Sequence, residues 1–238
     1  MQMPKNVSMF PVSIPVGTHL PHAVGAAMGF SYQKQKKVAI AYFGDGATST
    51  GDFHESMNFA GVFKAPVIFI CQNNQFAISI PVKEQTASET LAQKAIAYGF
   101  EGIKIDGNDV FAAYKVTKEA LSKARAGKGP TFIECFTYRI GDHTTSDDAL
   151  RYRNQKDIDV WKTKDPLERL KKYMQSKKLL SDSYEKSVFA NAEKQIDAAI
   201  KKAEAVPKIK PEEIFNFMYF SLTPNLIEQR EQIKREVS

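Results

Sequence analysis

Two short apolar runs, each followed at once by polar turn residues, constrain the fold of this chain more than any other feature. Residues 38–43 are continuously apolar and end at a turn that contains Gly44, Asp45 and Gly46. Residues 67–71 form a second run of the same kind. Continuous apolar runs of this length are typical of strands that are buried on both faces, as in a parallel sheet. The sequence therefore predicts a buried parallel sheet.

Stretches of helical periodicity separate these runs. The pattern predicts helices over residues 18–33, 51–63, 87–98 and 110–126, and further strands over residues 102–105 and 131–136. Strands and helices that alternate at these lengths predict an α/β fold with a doubly wound parallel sheet flanked by helices. Beyond residue 160 the apolar residues recur only with helical period. We therefore expect an α/β domain over residues 1–160 and a C-terminal helical region over residues 161–238, packed on the same domain.

Composition narrows the classes of partner and the cellular location. The net charge is +6, but the densest basic stretches, residues 162–178 and 201–210, alternate with acidic residues along helices. Such a pattern favours a solvated helix face, or a surface for an acidic protein, over a nucleic-acid groove. The apolar runs are far shorter than the roughly 20 residues that a membrane span needs. With no signal-peptide core at the N-terminus, the expected location is cytoplasmic. Cys71 and Cys135 lie in strand-like runs and are interpreted as structural thiols.

Polar residues follow both apolar runs where the strands are expected to end. Asp45 follows the first run, and Asn73 and Asn74 follow the second. In doubly wound sheets ligands bind beyond the carboxyl ends of the strands. A carboxylate and an amide oxygen from adjacent strand ends can converge on Mg²⁺, and glycines let the backbone approach a phosphate. Taken alone, Gly-Asp-Gly is an ordinary turn sequence, so a tight loop without a ligand is the alternative.

The spacing of these residues adds a resemblance. Asp45 and Asn74 lie 29 positions apart (74 minus 45), with a helix and a strand between them. This resembles the thiamine-diphosphate motif of the transketolase-like superfamily, which begins Gly-Asp-Gly and ends Asn-Asn. The resemblance implies a thiamine-diphosphate-binding fold in which Asp45, the Asn74 side chain and the backbone carbonyl of Phe76 bind Mg²⁺. It also implies that Gly44, Gly46 and Ala47 line the diphosphate.

Residues 10–25 are similar to the segment that precedes this motif in alpha subunits of 2-oxo acid dehydrogenases. Val16 matches the apolar residue that holds the cofactor in its bent form. The potassium site of branched-chain members is matched by three residues: Ser13, Pro15 and Thr18. His19 stands where a glutamine is usual. Considered without the resemblance, His19 is interpreted as a helix-capping or core histidine.

Residues 138–153 resemble the mobile active-site loop of the same alpha subunits. The match implies that His143 contacts the diphosphate or the reacting intermediate and assists acyl transfer, and that Arg139 orders the loop. Residues 140–141 and 145–148 look more like branched-chain than pyruvate members. Asp142 stands where the branched-chain pattern has another histidine. Thr144 occupies the position of a serine that a kinase modifies in regulated relatives, and an unmodified threonine is the simpler interpretation.

The resemblance runs from about residue 10 to about residue 153. It implies the alpha subunit of the decarboxylating component of a branched-chain 2-oxo acid dehydrogenase complex. The implied partners are a beta subunit in an α2β2 heterotetramer, the lipoyl acyltransferase core and a 2-oxo acid substrate, with Gly25 and Gly29 in a close helix contact. The chain alone is expected to be inactive, and the family's N-terminal segment, whose Tyr-Arg pair grips the diphosphate, is expected to be missing. Pyruvate or acetoin as substrate, and a non-catalytic basic α/β scaffold, are the alternatives.

Overall fold

The structure, a computed structural model, describes residues 8–237. The strands are β1 (Ala39–Gly44), β2 (Val67–Asn73), β3 (Phe76–Ala77), β4 (Ile80–Pro81), β5 (Glu101–Asp106) and β6 (Thr131–Phe136). Four of them form one parallel sheet in the order β1, β2, β6, β5, and β3 pairs with β4 in a small antiparallel hairpin. The chain turns from β2 into this hairpin at the carboxyl edge of the sheet.

Eight α-helices and four 3-10 helices connect and follow the strands in the described part of the chain. The α-helices are α1 (His19–Tyr32), α2 (Gly51–Val62), α3 (Val82–Gln85), α4 (Val110–Arg125), α5 (Gln155–Lys162), α6 (Pro166–Ser176), α7 (Asp182–Glu204) and α8 (Pro224–Val237). The 3-10 helices are Asp45–Ser49, Ala92–Tyr98, Ala149–Arg151 and Pro211–Phe215. Polar side chains fix several helix starts: the Thr50 hydroxyl, for example, accepts a hydrogen bond from the Phe53 backbone amide at the start of α2.

Apolar side chains on both faces of the sheet hold the helices. Alternate residues of β2 point to opposite sides: Phe69 packs in a core with α1 and α2, whereas Ile68 packs with α4. Phe43 and Phe132 are stacked in the first core, with ring centroids 6.0 Å apart. Helices therefore cover both faces of a parallel sheet, and the predicted α/β class is confirmed. The thiamine-diphosphate-binding form of that fold stays a prediction.

The predicted helix over residues 87–98 is wrong in its first part. Regular structure begins only at Ala92, and it is a 3-10 helix. Two contacts with distant parts of the chain shape this segment. The Glu134 carboxylate accepts a hydrogen bond from the Ala92 amide at 2.8 Å, and a Cβ placed on Gly102 would lie 1.9 Å from the Ala92 carbonyl oxygen. The segment is thus pressed against β5 and β6, and packing overrides local helical periodicity.

By compactness the chain divides into two units, Met1–Lys177 and Lys178–Ser238. The first unit holds the sheet and α1 to α6, and the second holds α7 and α8. The predicted boundary after residue 160, and the predicted packing of the helical region, stay predictions. Within residues 8–237, no helix combines the length and apolar character that a membrane crossing requires.

Candidate cofactor site

Asp45 is the buried acid of the site and lies directly after β1. The residue is almost inaccessible, at 1% exposure, and Oδ1 has no hydrogen-bond partner among residues 8–237. The other oxygen, Oδ2, accepts a hydrogen bond from Gln85 Nε2 at 3.0 Å. Burial raises the pKa of Asp45, while the Gln85 hydrogen bond, the backbone amides of Asp45 and Asn74 and the charge of Arg139 oppose this rise. A buried carboxylate oxygen without a partner is costly and marks a place where a cation would be stabilised.

The turn after β2 brings Asn74 to Asp45. β1 and β2 are paired in parallel with Gly44 opposite Gln72, so the residues that follow each strand meet at the same edge. The Asn74 backbone amide lies near enough to Asp45 to lower the pKa of its carboxyl group. The Asn74 side-chain oxygen accepts a hydrogen bond from the Phe76 amide at 3.2 Å. The structure thus gathers the carboxylate, the amide and the start of β3 in one place.

Arg139 reaches into the same place from the end of β6. Its Nη1 donates to the Phe76 carbonyl oxygen at 3.2 Å, and its Nη2 donates to the Ile78 carbonyl oxygen at 2.6 Å. Ile78 has a φ of 55°, a left-handed conformation that is strained for a β-branched residue. The Phe76 carbonyl oxygen therefore already accepts one hydrogen bond from a cation, and its second lone pair remains for a metal.

The glycines of the turn differ in what surrounds them. A Cβ on Gly46 would lie 2.8 Å from the Cβ of Ala77, so Gly46 lets the β3–β4 hairpin pack directly on the turn. No atom outside its immediate neighbours lies within 4 Å of the Cβ position of Gly44. Ala47 is buried. Gly44 thus has free space where a side chain would stand, whereas Gly46 does not.

The segment before α1 brings together the oxygens that match a potassium site. The hydroxyl groups of Ser13 and Thr18 are hydrogen-bonded, and the Thr18 hydroxyl donates to the Pro15 carbonyl oxygen at 3.1 Å. Gly17, with a φ of 88°, packs against Thr50 at the start of α2. Val16, beside it, is 63% exposed. The segment thus lies against the helix that follows the Asp45 turn.

His19 makes a structural contact at the edge of the sheet. Its Nε2 lies 2.8 Å from the carbonyl oxygen of Tyr42 in β1. A histidine that hydrogen-bonds the backbone of the edge strand ties α1 to the sheet. The ring is partly exposed and bonds a strand, so His19 is neither the helix-capping nor the core histidine that the sequence suggested.

The loop that carries His143 is held by hydrogen bonds within the loop. Asp147 Oδ2 accepts from the His143 backbone amide at 2.8 Å and from the Tyr152 hydroxyl at 2.5 Å. The Tyr152 hydroxyl also accepts from Arg139 Nη2 at 2.8 Å. Asp142 Oδ1 accepts from the Ala149 amide at 3.1 Å. The His143 ring is exposed, and its backbone is fixed through Asp147 to Tyr152 and Arg139.

Four residues of this network were not assigned a role from the sequence: Gln85, Glu134, Tyr152 and Arg153. Arg153 donates to the carbonyl oxygens of Arg139, Ile140 and Gly141. Glu134, a charged residue inside the apolar run of β6, carries a signal that could have been noticed. The others carry none, because their contacts depend on how distant segments meet.

The donor set of the site suits one class of metal. In the described part of the chain, no three or more His, Cys, Asp or Glu side chains are grouped so as to hold a metal ion. A metal at Asp45 would thus be held by one carboxylate and neutral oxygens. Mg²⁺ is often bound by one or two carboxylates with phosphate and water, whereas Zn²⁺ usually takes three or four side-chain ligands.

A cleft of about 870 Å³, lined in part by Thr48 and Ser49, adjoins the Asp45 turn. Gln85 lines the cleft and hydrogen-bonds Asp45. Lys94, which also lines the cleft, donates to the Thr48 carbonyl oxygen at 2.9 Å. Burial, and then the charge of Lys94, lower the pKa of His54 in the same cleft. Gln85 therefore belongs both to the lining of the cleft and to the surroundings of Asp45.

The chain is thus an α/β protein with a parallel sheet, and its acidic turn and amide turn lie at adjacent strand ends, the edge where ligands bind in proteins of this class. The chain matches the family described as dehydrogenase E1 component over residues 1–212, and it belongs to that family. The predicted relation to 2-oxo acid dehydrogenases is thereby confirmed at the level of the family.

Among its relatives is the 3-methyl-2-oxobutanoate dehydrogenase subunit alpha of Mycobacterium tuberculosis, 48% identical over 229 residues, which cover 96% of this chain and 62% of the relative. The pyruvate dehydrogenase E1 component subunit alpha of Bacillus cereus is 44% identical over 238 residues, covering 100% of this chain and 64% of the relative. That of Bacillus subtilis is 45% identical over 231 residues, covering 97% and 62%. The chain thus spans a little under two thirds of these relatives, whose names divide between two substrates.

Proposed function

We propose that this chain is the alpha part of the decarboxylating component of a 2-oxo acid dehydrogenase complex, and that it binds thiamine diphosphate through Mg²⁺. The observation that carries the proposal is the buried Oδ1 of Asp45, which has no hydrogen-bond partner among the described residues, in a carboxyl group that lies close to the Asn74 backbone amide. An ionised oxygen buried in this way requires a cation or a donor. Membership of the E1 family supports Mg²⁺ with a diphosphate as the group that pairs with it.

The metal would be held by Asp45, the Asn74 side-chain oxygen and the Phe76 carbonyl oxygen, with Gly44, Gly46 and Ala47 along the diphosphate. Arg139 fixes the Phe76 carbonyl group and adds positive charge near the phosphates. Thiamine diphosphate, when bound, supplies a nucleophilic carbon and an electron sink for decarboxylation. The residues of this chain bind it and fix its orientation.

We assign Val16 and His143 to the part of the site that would hold the rings of the cofactor and the reacting acyl group. The exposed Val16 side chain is available as the wedge that keeps the cofactor bent, which its place beside Gly17 and α2 supports. His143 carries an imidazole into solvent on a loop fixed by Asp147. An imidazole can deliver a proton or stabilise charge near neutral pH. We assign His143 to acyl transfer and Arg139 to ordering its loop.

The segment that contains Ser13, Pro15 and Thr18 is proposed as a potassium site. The Thr18 hydroxyl there contacts both the Ser13 hydroxyl and the Pro15 carbonyl oxygen. Oxygen ligands of this kind suit a hard monovalent cation. Bound K⁺ would fix the segment that carries Val16.

The substrate we propose is a branched-chain 2-oxo acid. Residues 140–141 and 145–148, together with the relative from Mycobacterium tuberculosis at 48% identity, support this choice. Pyruvate is the second candidate, because relatives named for it are 44% and 45% identical. The partners we propose are a beta subunit in an α2β2 heterotetramer and the lipoyl acyltransferase core. The positions of Gly25 and Gly29 on α1 have no other part of the described chain within 4 Å, which leaves that helix face open to a partner.

The experiment is to purify the chain together with the subunit that associates with it and to compare the turnover of 3-methyl-2-oxobutanoate and pyruvate. We expect the branched-chain acid to be preferred. Replacing His143 with asparagine should lower turnover about 10²- to 10⁴-fold, whereas Asp197→Asn, at an exposed position of α7, should have no effect. Preference for pyruvate would replace the substrate assignment, and unchanged turnover of the His143 variant would remove its catalytic role.

A further inference from the structure

Glu134 is a buried acid that the sheet places between two elements of the site. Its side chain is 1% exposed and lies in the middle of β6. Oε1 accepts a hydrogen bond from Asn73 Nδ2 at 2.7 Å, and Oε2 accepts one from the Ala92 backbone amide at 2.8 Å. One carboxylate thus joins the end of β2 to the start of the Ala92–Tyr98 helix. We propose that Glu134 is a positioning residue that fixes the turn carrying Asn74 and Phe76.

The hydrogen bonds continue from Glu134 to the turn. The oxygen of the Asn73 side chain accepts from the Gln75 backbone amide at 3.1 Å, while its nitrogen donates to Glu134. Gln75 has a φ of 73°, a conformation that a non-glycine residue holds only when its surroundings enforce it. Asn73 therefore links Glu134 to Gln75: Glu134 holds the Asn73 side chain in place, and that side chain holds the backbone of Gln75, which lies between Asn74 and Phe76.

The chemistry of the two contacts explains why the residue is an acid. Both partners of Glu134 are N–H donors, and only a carboxylate offers an acceptor oxygen to each of them. A glutamine at this position would place its amide NH₂ group, a donor, against one of these two N–H donors, and that hydrogen bond would be lost. Burying a carboxylate carries a desolvation cost, which hydrogen bonds offset only in part. This cost is reduced when a divalent cation is bound beside the turn, and in that respect the inference rests on the proposed function.

A pair of substitutions can reverse the polarity of the network without changing its shape. Glu134→Gln alone sets an amide nitrogen against that of Asn73 or against the Ala92 amide. Asn73→Asp alone sets two carboxylates against each other. In the double variant N73D/E134Q, the new amide donates to the new carboxylate, and both backbone amides keep an acceptor. All three hydrogen bonds and the single negative charge are restored.

The first measurement is the Mg²⁺ affinity of the full chain in the presence of saturating thiamine diphosphate. Trp161, the only tryptophan, stacks on Tyr138 with ring centroids 5.5 Å apart, so its fluorescence reports on the end of β6 beside Arg139. Residues that orient metal ligands typically change metal affinity about 10- to 100-fold. We expect E134Q and N73D each to weaken Mg²⁺ binding by at least about tenfold, and the double variant to bind within about threefold of the unaltered chain.

The matched control is Glu101→Gln. Glu101 lies on the neighbouring strand β5 and pairs with Lys123 at 2.9 Å near the surface. We expect its loss to leave Mg²⁺ affinity unchanged. A double variant as weak as the single variants, or an E134Q variant with normal affinity, would overturn the positioning role.

The second measurement needs no cofactor. Amide hydrogen exchange over residues 73–78 and 91–98 should be faster in both single variants and return to normal in the double variant. Unchanged exchange in the single variants would refute the bracing by Glu134, whatever the cofactor does. If exchange follows the expected pattern but the unaltered chain shows no Mg²⁺-dependent response to thiamine diphosphate, the bracing stands and the proposed function fails.

Discussion

Replacing Asp45 with asparagine should stabilise the metal-free protein and abolish its response to Mg²⁺. The carboxylate is buried with one oxygen unpaired, and an unpaired buried polar atom costs about 1–3 kcal/mol, more when it is charged. An amide keeps an acceptor for Gln85 and carries no charge to desolvate. Since 1 kcal/mol shifts the Tm of a chain of this size by about 2–4 °C, we expect D45N to raise the Tm at neutral pH, in a chelator, by about 2–6 °C.

The pH dependence of this difference follows from the raised pKa of Asp45. In the unfolded chain the carboxyl group titrates near its ordinary pKa of 3.8, whereas burial raises the pKa in the folded protein. Between these two pKa values the folded state binds the proton and the unfolded state does not, so stability falls as the pH rises through this window. The advantage of D45N should therefore be absent below pH 3.8 and complete above the raised pKa.

The assay is thermal unfolding with a chelator, and again with thiamine diphosphate and excess Mg²⁺. Ligands at 100 times their dissociation constant stabilise the folded state by about 2.7 kcal/mol. The unaltered chain should gain this stability and D45N should not. Asp197→Asn, at an exposed position in α7, controls for the change of charge. A D45N protein that is less stable than the unaltered chain in chelator at neutral pH, or that still responds to Mg²⁺, would refute the reasoning.

Three further substitutions test the local geometry. Gly46→Ala should destabilise the protein by about 1–3 kcal/mol in denaturant unfolding, because its Cβ would lie 2.8 Å from that of Ala77, whereas Gly44→Ala, with open space, should be near neutral; equal effects would contradict the packing. Ile78→Gly should not destabilise and should gain about 1 kcal/mol, since it removes strain at a φ of 55° from an exposed residue; a loss of stability would argue against strain. Arg139→Lys should speed hydrogen exchange over residues 139–153, because the one nitrogen of an ammonium group cannot occupy the places of the two guanidinium nitrogens that hold three acceptors; unchanged exchange would show that Arg139 does not order the loop.

The central strand β2 was predictable because it buries both of its faces. The prediction of a fully buried strand is wrong for β1, an edge strand that leaves Ile40 and Tyr42 exposed. The run over residues 67–71 is apolar throughout, and it forms most of β2. The strand continues through Gln72 and Asn73, which pair with Cys135 and Phe136 of β6. Backbone pairing with a neighbour extends the strand past the last apolar side chain, and apolar patterning carries no signal for this extension.

The meeting of Asp45 and Asn74 was predictable for a similar reason. Parallel strands that are adjacent in the sheet end at the same edge, so residues after their carboxyl ends become neighbours whatever the helix between them does. The contacts that Gln85 and Tyr152 make with the site were not predictable in this way. Gln85, at the end of α3, contacts Asp45, and Tyr152, directly after the 3-10 helix Ala149–Arg151, contacts Arg139. The positions of these short helices depend on tertiary packing.

The helix predicted over residues 87–98 shows the same limit. Its apolar spacing suits a helix, but the structure forms only the 3-10 helix from Ala92 onward. A hydrogen bond from the Ala92 amide to Glu134, 42 positions away, starts this helix, and the close approach of Gly102 holds it. Periodicity in a single segment contains no information on such contacts.

Calorimetric titration of the full chain with thiamine diphosphate, in Mg²⁺ and in chelator, bears most directly on the function proposed for Asp45 and Asn74. We expect saturable binding that requires Mg²⁺ and is lost in D45N. Binding of equal strength in chelator, or no binding in Mg²⁺, would contradict the assignment of these two strand ends to a metal–diphosphate site.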